Sequence, residues 1–244
     1  MVPVLLGLIS HVQDAGAWHT ALMSDFAEFR AKGREALLSG RATHDSPMVE
    51  GGLRWGAAAV LRPEGEVMTR MTELAATLDA PGHWVHGGRT LHVTIRSLEP
   101  YREHIPVDDP LRRAYGAALA EAAEDLPPAR AYFAGVSPHP GGVLVGVHPL
   151  DETMETLRKR FSGALDARGV RDLDHGRVRD LWYVSLLHFA APLADPGRIV
   201  EWCDAHADAD FGTAELPTAE IVQFVLTGTT VRVGSLEQVT LGTA

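Results

Sequence analysis

Residues 89–102 of this chain read RTLHVTIRSLEPYR, and this stretch decides what kind of sheet the protein builds. Within LHVTIR, apolar and polar residues alternate, and a proline soon ends the run. Such alternation is typical of a half-buried strand with one apolar and one polar face. His92 and Thr94 are therefore expected on the same face, where an imidazole that titrates near neutrality lies beside a hydroxyl group. An exposed polar face on an edge strand would show the same pattern.

Polar and aromatic residues near this strand could contact a bound anion. Arg96 lies two residues beyond Thr94 and is expected on the same face, where its guanidinium could bind a phosphate. A surface ion pair with a neighbouring glutamate would explain Arg96 equally well. Arg54 and Tyr101 could approach the same site, although the sequence does not position them. Trp55 could stack on a base, but burial in the core is its more ordinary role.

The composition indicates a soluble globular protein. The 244 residues are 45% hydrophobic and 22% charged, which allows one large domain or two small ones with a real core. The formal net charge of −10 argues against broad binding to long nucleic acid, because such binding requires a basic surface. A small anionic substrate in a locally positive pocket is compatible with this charge.

Cysteine usage and the first residues indicate the compartment. The single cysteine, Cys203, excludes an intrachain disulfide and fits a reducing environment. The apolar opening MVPVLLGLI has no basic segment ahead of it and is too short to span a bilayer. The sequence therefore predicts a cytoplasmic protein without a membrane segment. His83 and His86 have too few other ligands nearby to support a metal site, and no metal or cofactor is expected.

Periodicity along the chain predicts a duplicated strand–helix–strand–helix unit. The first copy comprises strand 54–61, helix 64–79, strand 90–98 and helix 109–126, and the second comprises strand 143–147, helix 151–168, strand 181–189 and helix 195–207. A helix over 16–38 and a polar loop precede the first copy, and short strands separated by Pro217, Gly228 and Gly234 follow the second. These patterns predict an N-terminal extension over residues 1–52 and a two-lobed domain over 53–244.

The second strand of each copy carries a similar polar pattern. Tyr183 and Ser185 repeat the spacing of His92 and Thr94, since 183 − 92 and 185 − 94 are both 91. A duplicated unit would bring its two equivalent strands together across a central cleft. The sequence therefore predicts that these four side chains face one another.

At these residues the sequence resembles the 2H phosphoesterase superfamily, which includes the LigT-like RNA 2′,3′-cyclic phosphodiesterases. Members carry two H-x-T/S motifs on two pseudo-symmetric lobes, and the cleft between the lobes binds a phosphodiester. The resemblance covers roughly residues 53–241 and rests on the LHVTI and YVSL stretches and on the order of the elements. It implies an α+β fold, with two pseudo-symmetric lobes of antiparallel sheet, helices on the outside and a central cleft.

The resemblance also implies roles for the four motif residues. In complete motifs the histidines transfer protons and the Thr or Ser hydroxyls hold the phosphate, without a metal. His92 is then the general base, and Thr94 and Ser185 bind phosphoryl oxygens. Tyr183 stands where the superfamily has histidine. A phenol ordinarily titrates near pH 10, about 4 kcal/mol from being an available base at neutral pH, so Tyr183 is expected to act as a donor or an acid.

His188 is a displaced candidate for the missing histidine. It lies five residues beyond Tyr183, so in a regular strand it would face the opposite side. Only a β-bulge could turn its ring into the cleft.

Three functions fit these residues. The leading interpretation is metal-independent hydrolysis of a small 2′,3′-cyclic phosphate or related nucleotide phosphodiester. The second is a module that binds a nucleotide or phosphate and turns nothing over. The third is a recruited enzyme that uses the same cleft for another acid/base reaction in small-molecule biosynthesis. The sequence does not identify the substrate or the oligomeric state.

Overall fold

All eight elements of the predicted duplication are found in the computed structural model, which describes residues 26–45, 47–177, 181–227 and 230–242. The helices are α1 (residues 26–38), α2 (Gly65–Ala75), α3 (Pro110–Ala123), α4 (Thr153–Ala167) and α5 (Pro196–Ala205), with a 3₁₀ turn at Gly88–Thr90. The strands are β1 (Ala58–Leu61), β2 (Trp84–Val85), β3 (Val93–Ser97), β4 (Ala129–His139), β5 (Gly142–Pro149), β6 (Trp182–His188), β7 (Asp210–Leu216), β8 (Thr218–Thr227) and β9 (Thr230–Thr240). The opening apolar run and the first part of the predicted helix 16–38 lie outside the described residues.

The strands form one antiparallel sheet whose order is symmetric about its centre. Eight strands run in the order β7-β4-β5-β6-β3-β1-β8-β9, and β2 pairs with β6. β6 and β3 meet in the middle, so β5 corresponds to β1, β4 to β8 and β7 to β9. Each half of the sheet is one lobe. The predicted α+β fold with two pseudo-symmetric lobes and a central cleft is confirmed.

Helices cover the outside of the sheet. α2 packs against β7 and β6, α5 against β4, and α3 against α4, β8 and β9. The buried face of α2 comprises Val67, Met71 and Ala75, and full burial of a methionine contributes about 1.5–3 kcal/mol. Asp109 and Asp195 accept hydrogen bonds from the backbone amides at the starts of α3 and α5. Both predicted helix starts, each an aspartate before a proline, are correct.

Several predicted boundaries are wrong for local reasons. The strand predicted from residue 54 begins only at Ala58, because Trp55 adopts a left-handed backbone conformation with φ 66° that no strand accommodates. The turn predicted before the 3₁₀ segment contains β2, which pairs with the end of β6. Gly234 lies inside β9 and does not separate two strands. The predicted break at Gly228 lies outside the described residues.

Two β-bulges occupy equivalent positions in the two lobes. Where β3 pairs with β1, the ladder shifts and leaves Ile95 as the extra residue. Where β6 pairs with β5, it shifts and leaves Leu186 as the extra residue, 91 positions later. The exposure pattern is consequently the same over 92–97 and 183–188, with the first, third and sixth positions part-exposed and the others buried. Each bulge brings the sixth position back to the face of the motif side chains.

Residues 26–45 pack on the second lobe. Gly33 of α1 approaches β4 so closely that an added Cβ would clash with the Pro138 carbonyl oxygen. Arg30 donates to the Ala207 carbonyl oxygen at 3.0 Å, beyond the end of α5. The amide of Asp45 donates to the Phe189 carbonyl oxygen at 2.8 Å, which brings this segment beside the end of β6. The division at residue 52 stays a prediction.

None of the helices within the described ranges is long and apolar enough to cross a bilayer.

Candidate active site

The two motif strands meet at a single residue pair. β3 and β6 pair antiparallel through the valine in the middle of each motif. Side chains alternate along a strand, so the residues on either side of these valines point to the opposite face of the sheet. Continuing the antiparallel register sets His92 against Ser185 and Thr94 against Tyr183. The folding of the two lobes therefore brings the four predicted motif residues together.

These four side chains line one cleft of about 410 Å³. Other lining residues include Thr43, Asp45, Arg54, Trp55, Ser97, Glu99, His139, Asp174, Arg177, His188 and Phe224. The lining comes from both lobes and from the segment that precedes β1. The cleft is thus a shared surface of the lobes, as the duplicated pattern predicts.

The tautomer of His92 is set by a backbone group. Its Nδ1 lies 2.8 Å from the Thr90 carbonyl oxygen, which only accepts hydrogen bonds. Nδ1 therefore carries the proton, and in the neutral ring the lone pair is on Nε2. The ring also packs against Phe224, with 5.2 Å between centroids. This arrangement gives His92 the form that a general base requires.

An aromatic wall forms one side of the cleft around Trp55. Its ring contacts Trp84, His188 and Phe224 edge-on, with centroid distances of 5.2, 4.7 and 5.6 Å. Its indole nitrogen donates to Asp45 at 3.1 Å. The left-handed backbone at Trp55 turns this ring into the cleft instead of continuing β1 outward. Sequence reasoning named the ring as a possible stacking group but did not favour that role.

Arg54 lies in the cleft lining, as the sequence suggested it could. It forms an ion pair with Asp45 at 2.9 Å, and its side chain is 65% exposed. Burial raises the pKa of Asp45, while Arg54 and the indole of Trp55 oppose that rise. The Asp45 side chain is only 11% exposed, so the pair is half-buried, but the exposed guanidinium of Arg54 remains accessible to an anion in the cleft.

Arg96 and Tyr101 are not among the residues that line this cleft. The bulge at Ile95 turns Arg96 to the other side of the sheet, where it forms a buried, two-bonded ion pair with Asp172. That hydrogen bond raises the pKa of Arg96, against the effect of burial. Tyr101 is buried beside the loop before β1, and its backbone pairs with Gly51 and Gly52.

His188 is the main cleft residue that strand periodicity places on the wrong side. The bulge at Leu186 turns it toward the cleft, and its Nδ1 lies 2.7 Å from His86 Nε2. Burial lowers the pKa of His188 well below its ordinary value, and His86 and Arg54 add to that effect. Burial, with a smaller contribution from His92, also lowers the pKa of His86 to about 3. Both rings are therefore neutral at neutral pH.

Other cleft residues were not predicted from the sequence. Thr43 and Asp45 lie in a segment with no periodic pattern, and Phe224 lies on a tail strand whose inward face the sequence did not identify. His139 lies at the end of β4, and burial lowers its pKa. Within the described ranges, no group of three or more His, Cys, Asp or Glu side chains could hold a metal ion.

Known structures share this architecture at low sequence identity. No protein-family model matches the sequence, and no curated protein matches it significantly. TT0787 of Thermus thermophilus is 16% identical over 76% of this chain and 97% of its own, with a TM-score of 0.57. This chain has the 2H phosphoesterase fold.

Two further structures with the 2H phosphoesterase fold agree with this comparison. One is described as a phosphoesterase and is 11% identical over 77% of this chain and 98% of its own, with a TM-score of 0.52. The other is LigT of E. coli complexed with 3′-AMP, which is 10% identical over the same shares, also with a TM-score of 0.52. At these identities the likeness establishes the fold, and the chemistry must be argued from the cleft itself.

Proposed function

We propose that this protein is a metal-independent phosphodiesterase-like enzyme acting on a small 2′,3′-cyclic phosphate or a related nucleotide phosphodiester. The observation that carries the proposal is the meeting of β3 and β6, which directs His92, Thr94, Tyr183 and Ser185 into one cleft. LigT, which has the same fold, has been crystallised with 3′-AMP and with NADP⁺. Opening a cyclic nucleotide phosphate yields a monophosphate such as 3′-AMP.

The proposed reaction assigns one step to each lobe. His92 Nε2 takes a proton from water, and the water oxygen forms a new bond to phosphorus. One ring P–O bond breaks, and the departing ribose oxygen takes the proton of the Tyr183 hydroxyl. A phenol is a stronger acid than the ribose hydroxyl that forms, so this transfer is favourable. The phenolate then regains a proton from the His92 imidazolium through solvent.

The hydroxyls of Thr94 and Ser185 donate to the phosphoryl oxygens. Donors aimed at developing charge typically contribute about 10²–10³-fold each in buried sites, and less where solvent enters. Arg54 adds a positive charge near the same cleft once an anion competes with Asp45. Hydroxyls, one guanidinium and two proton carriers suffice for the reaction without a bound metal.

Hydrolysis of the four 2′,3′-cyclic nucleotides tests the proposal. His92→Ala is expected to lower kcat/KM by about 10²–10⁴-fold, the usual contribution of a general base. Tyr183→Phe is expected to lower it as well, whereas Tyr132→Phe, on β4 outside the cleft lining, leaves it unchanged. His175→Ala, in the exposed loop after α4, is the matched control for His92. Inactive wild-type protein that gains activity in Tyr183→His would mean that the cleft has lost this reaction.

A second candidate is a binding module that uses the same cleft without turnover. It is favoured by Tyr183, which leaves one imidazole at the motif positions. Calorimetry with 3′-AMP, cyclic nucleotides and inorganic phosphate separates the two candidates. Binding by wild-type protein, abolished in His92→Ala and without hydrolysis of any cyclic nucleotide, would favour the module.

A further inference from the structure

His188 is a cleft residue that the proposed reaction does not use. It sits at the sixth position of the second-lobe pattern, which the bulge at Leu186 returns to the motif face. The equivalent residue in the first lobe is Ser97, 91 positions earlier, which also lines the cleft. The second lobe therefore does present a histidine, five residues beyond Tyr183.

The contact with His86 determines which part of the His188 ring meets the cleft. His86 is 4% exposed and follows β2, behind the cleft wall. His188 Nδ1 is bonded to His86 Nε2 at 2.7 Å. Nδ1 and Nε2 of an imidazole are separated by one carbon and their bonding directions diverge, so Nε2 of His188 is directed away from His86. Because the ring lines the cleft, we infer that Nε2 is the nitrogen that faces it. Trp55 packs edge-on against this ring at 4.7 Å and fixes its plane.

The surroundings of His188 disfavour its charged form. Burial is the largest cause of its lowered pKa, and the remaining causes are the positive or titratable groups His86, Arg54, His92 and His139. The carboxylates that line the same cleft belong to Asp45, Glu99 and Asp174. Asp45 is engaged with Arg54 and Trp55, and Asp174 accepts from the amide of Ser97. Burial and these four groups all lower the pKa of His188, so the ring stays neutral at neutral pH.

We propose that His188 is a neutral hydrogen-bond donor for an anionic phosphate oxygen and that His86 is the residue that positions it. The His86–His188 bond holds one proton. An anion in the cleft selects the tautomer in which His86 Nε2 donates to His188 Nδ1, because His188 Nε2 then carries a hydrogen toward the anion. The inference rests on the proposed function, since it assigns a ligand contact to the same cleft.

Binding of 3′-AMP by calorimetry tests this assignment with two pairs of variants. His188→Leu removes the donor and is expected to weaken binding by about 10–100-fold, the range for a hydrogen bond to a charged group. His188→Gln, whose amide nitrogen lies close to the position of Nε2, recovers most of the affinity. His86→Leu weakens binding by a smaller factor because it loosens the ring, and His86→Gln restores the donor to Nδ1.

The pH dependence separates a neutral donor from a charged one. Ionisation of 3′-AMP affects its binding to wild-type protein and to His188→Leu equally. Dividing the wild-type affinity by the His188→Leu affinity therefore removes this contribution. A neutral donor keeps this ratio constant between pH 6 and 8. A ratio that rises as pH falls through 6.5 would mean that His188 binds as an imidazolium and would overturn the proposal.

The wild-type protein supplies a readout that depends on no variant. Long-range ¹H–¹⁵N spectra with bound 3′-AMP should show His188 protonated at Nε2 and unprotonated at Nδ1. The opposite tautomer in the complex, or unchanged 3′-AMP affinity in a folded His188→Leu protein, would refute the assignment. If wild-type protein hydrolyses no cyclic nucleotide but the His188 effects on binding persist, the proposed function fails and this inference stands.

Discussion

The ion pair between Arg96 and Asp172 is expected to make a large contribution to stability. Its side chains are 9% and 2% exposed, and it joins β3 of the first lobe to the loop after α4. Asp172→Ala leaves a buried guanidinium without its partner, which typically costs about 3–5 kcal/mol. Asp174 and Asp166 also attract Arg96, so we expect the lower end, about 3 kcal/mol. That is a large fraction of the roughly 5–15 kcal/mol usual for a folded domain.

The exposed pair of Arg198 and Asp79 is the matched control. Its oxygen and nitrogen lie 2.6 Å apart, and both side chains are 64% exposed. Asp79→Ala should therefore cost at most about 1 kcal/mol. Urea unfolding of wild type and the two variants measures both free energies. A cost below about 1 kcal/mol for Asp172→Ala, equal to that of the control, would refute the reasoning from burial.

Three further predictions concern packing, pH and the site. Gly33→Ala should destabilise the protein although alanine favours helices, because its Cβ would clash with the Pro138 carbonyl oxygen. Gly163→Ala in α4 has open space for its Cβ and should stabilise the protein by up to about 1 kcal/mol. Thermal unfolding measures both effects. Burial lowers the pKa of His86 to about 3 in the folded protein, whereas in the unfolded chain it keeps its ordinary value of about 6.5, so on acidification the unfolded chain binds a proton first. The free energy of unfolding is therefore highest above pH 6.5 and decreases as the pH falls toward 3. His86→Leu should make the measured slope shallower by up to about 1.4 kcal/mol per pH unit, and an unchanged slope would contradict its burial as a neutral ring. Thr94→Val should lower kcat/KM for cyclic phosphate about 10-fold or more, with a folded protein by circular dichroism; unchanged kinetics would remove its hydroxyl from the site.

The lobes and the motif positions could be predicted because both follow from simple periodicities. Alternation of period two placed His92 and Thr94 on one face, and the repeat at 91 residues placed Tyr183 and Ser185 on the matching strand. The helix starts were also accessible, since an aspartate before a proline is a local signal. Simple patterns in the sequence thus predicted the two lobes and the four motif residues of the cleft.

The remaining site residues depend on backbone irregularities that the sequence does not encode locally. A bulge adds one residue to a strand and reverses every later side chain, so period-two reasoning failed at Arg96 and at His188. The left-handed backbone at Trp55 ended the predicted strand early and brought its ring into the cleft. The position of Tyr101 could not be predicted, because its nearness to β3 in the sequence does not indicate which loop its side chain packs against. Each of these errors begins where the regular pattern ends.

The two bulges place residues 97 and 188 at equivalent positions in different electrostatic surroundings. His188 faces other imidazoles and Arg54, whereas Ser97 lies beside Asp174, whose carboxylate accepts from the Ser97 amide at 2.7 Å. Two arginines lie near the same carboxylate. Arg177 reaches it at 3.6 Å but is 66% exposed, and Arg96 is attracted to it less than to its own partner Asp172.

The pKa of an imidazole introduced at position 97 should therefore shift in the opposite direction to that of His188. In Ser97→His, the neighbouring carboxylate of Asp174 favours the charged ring and is expected to raise its pKa above the ordinary value of about 6.5. NMR titration of the histidine Cε1 protons measures the new ring and His188 in the same sample. If the new ring titrated below about 6.5, as His188 does, burial in the cleft would outweigh the local charges, and the neutral state of His188 would follow from position alone.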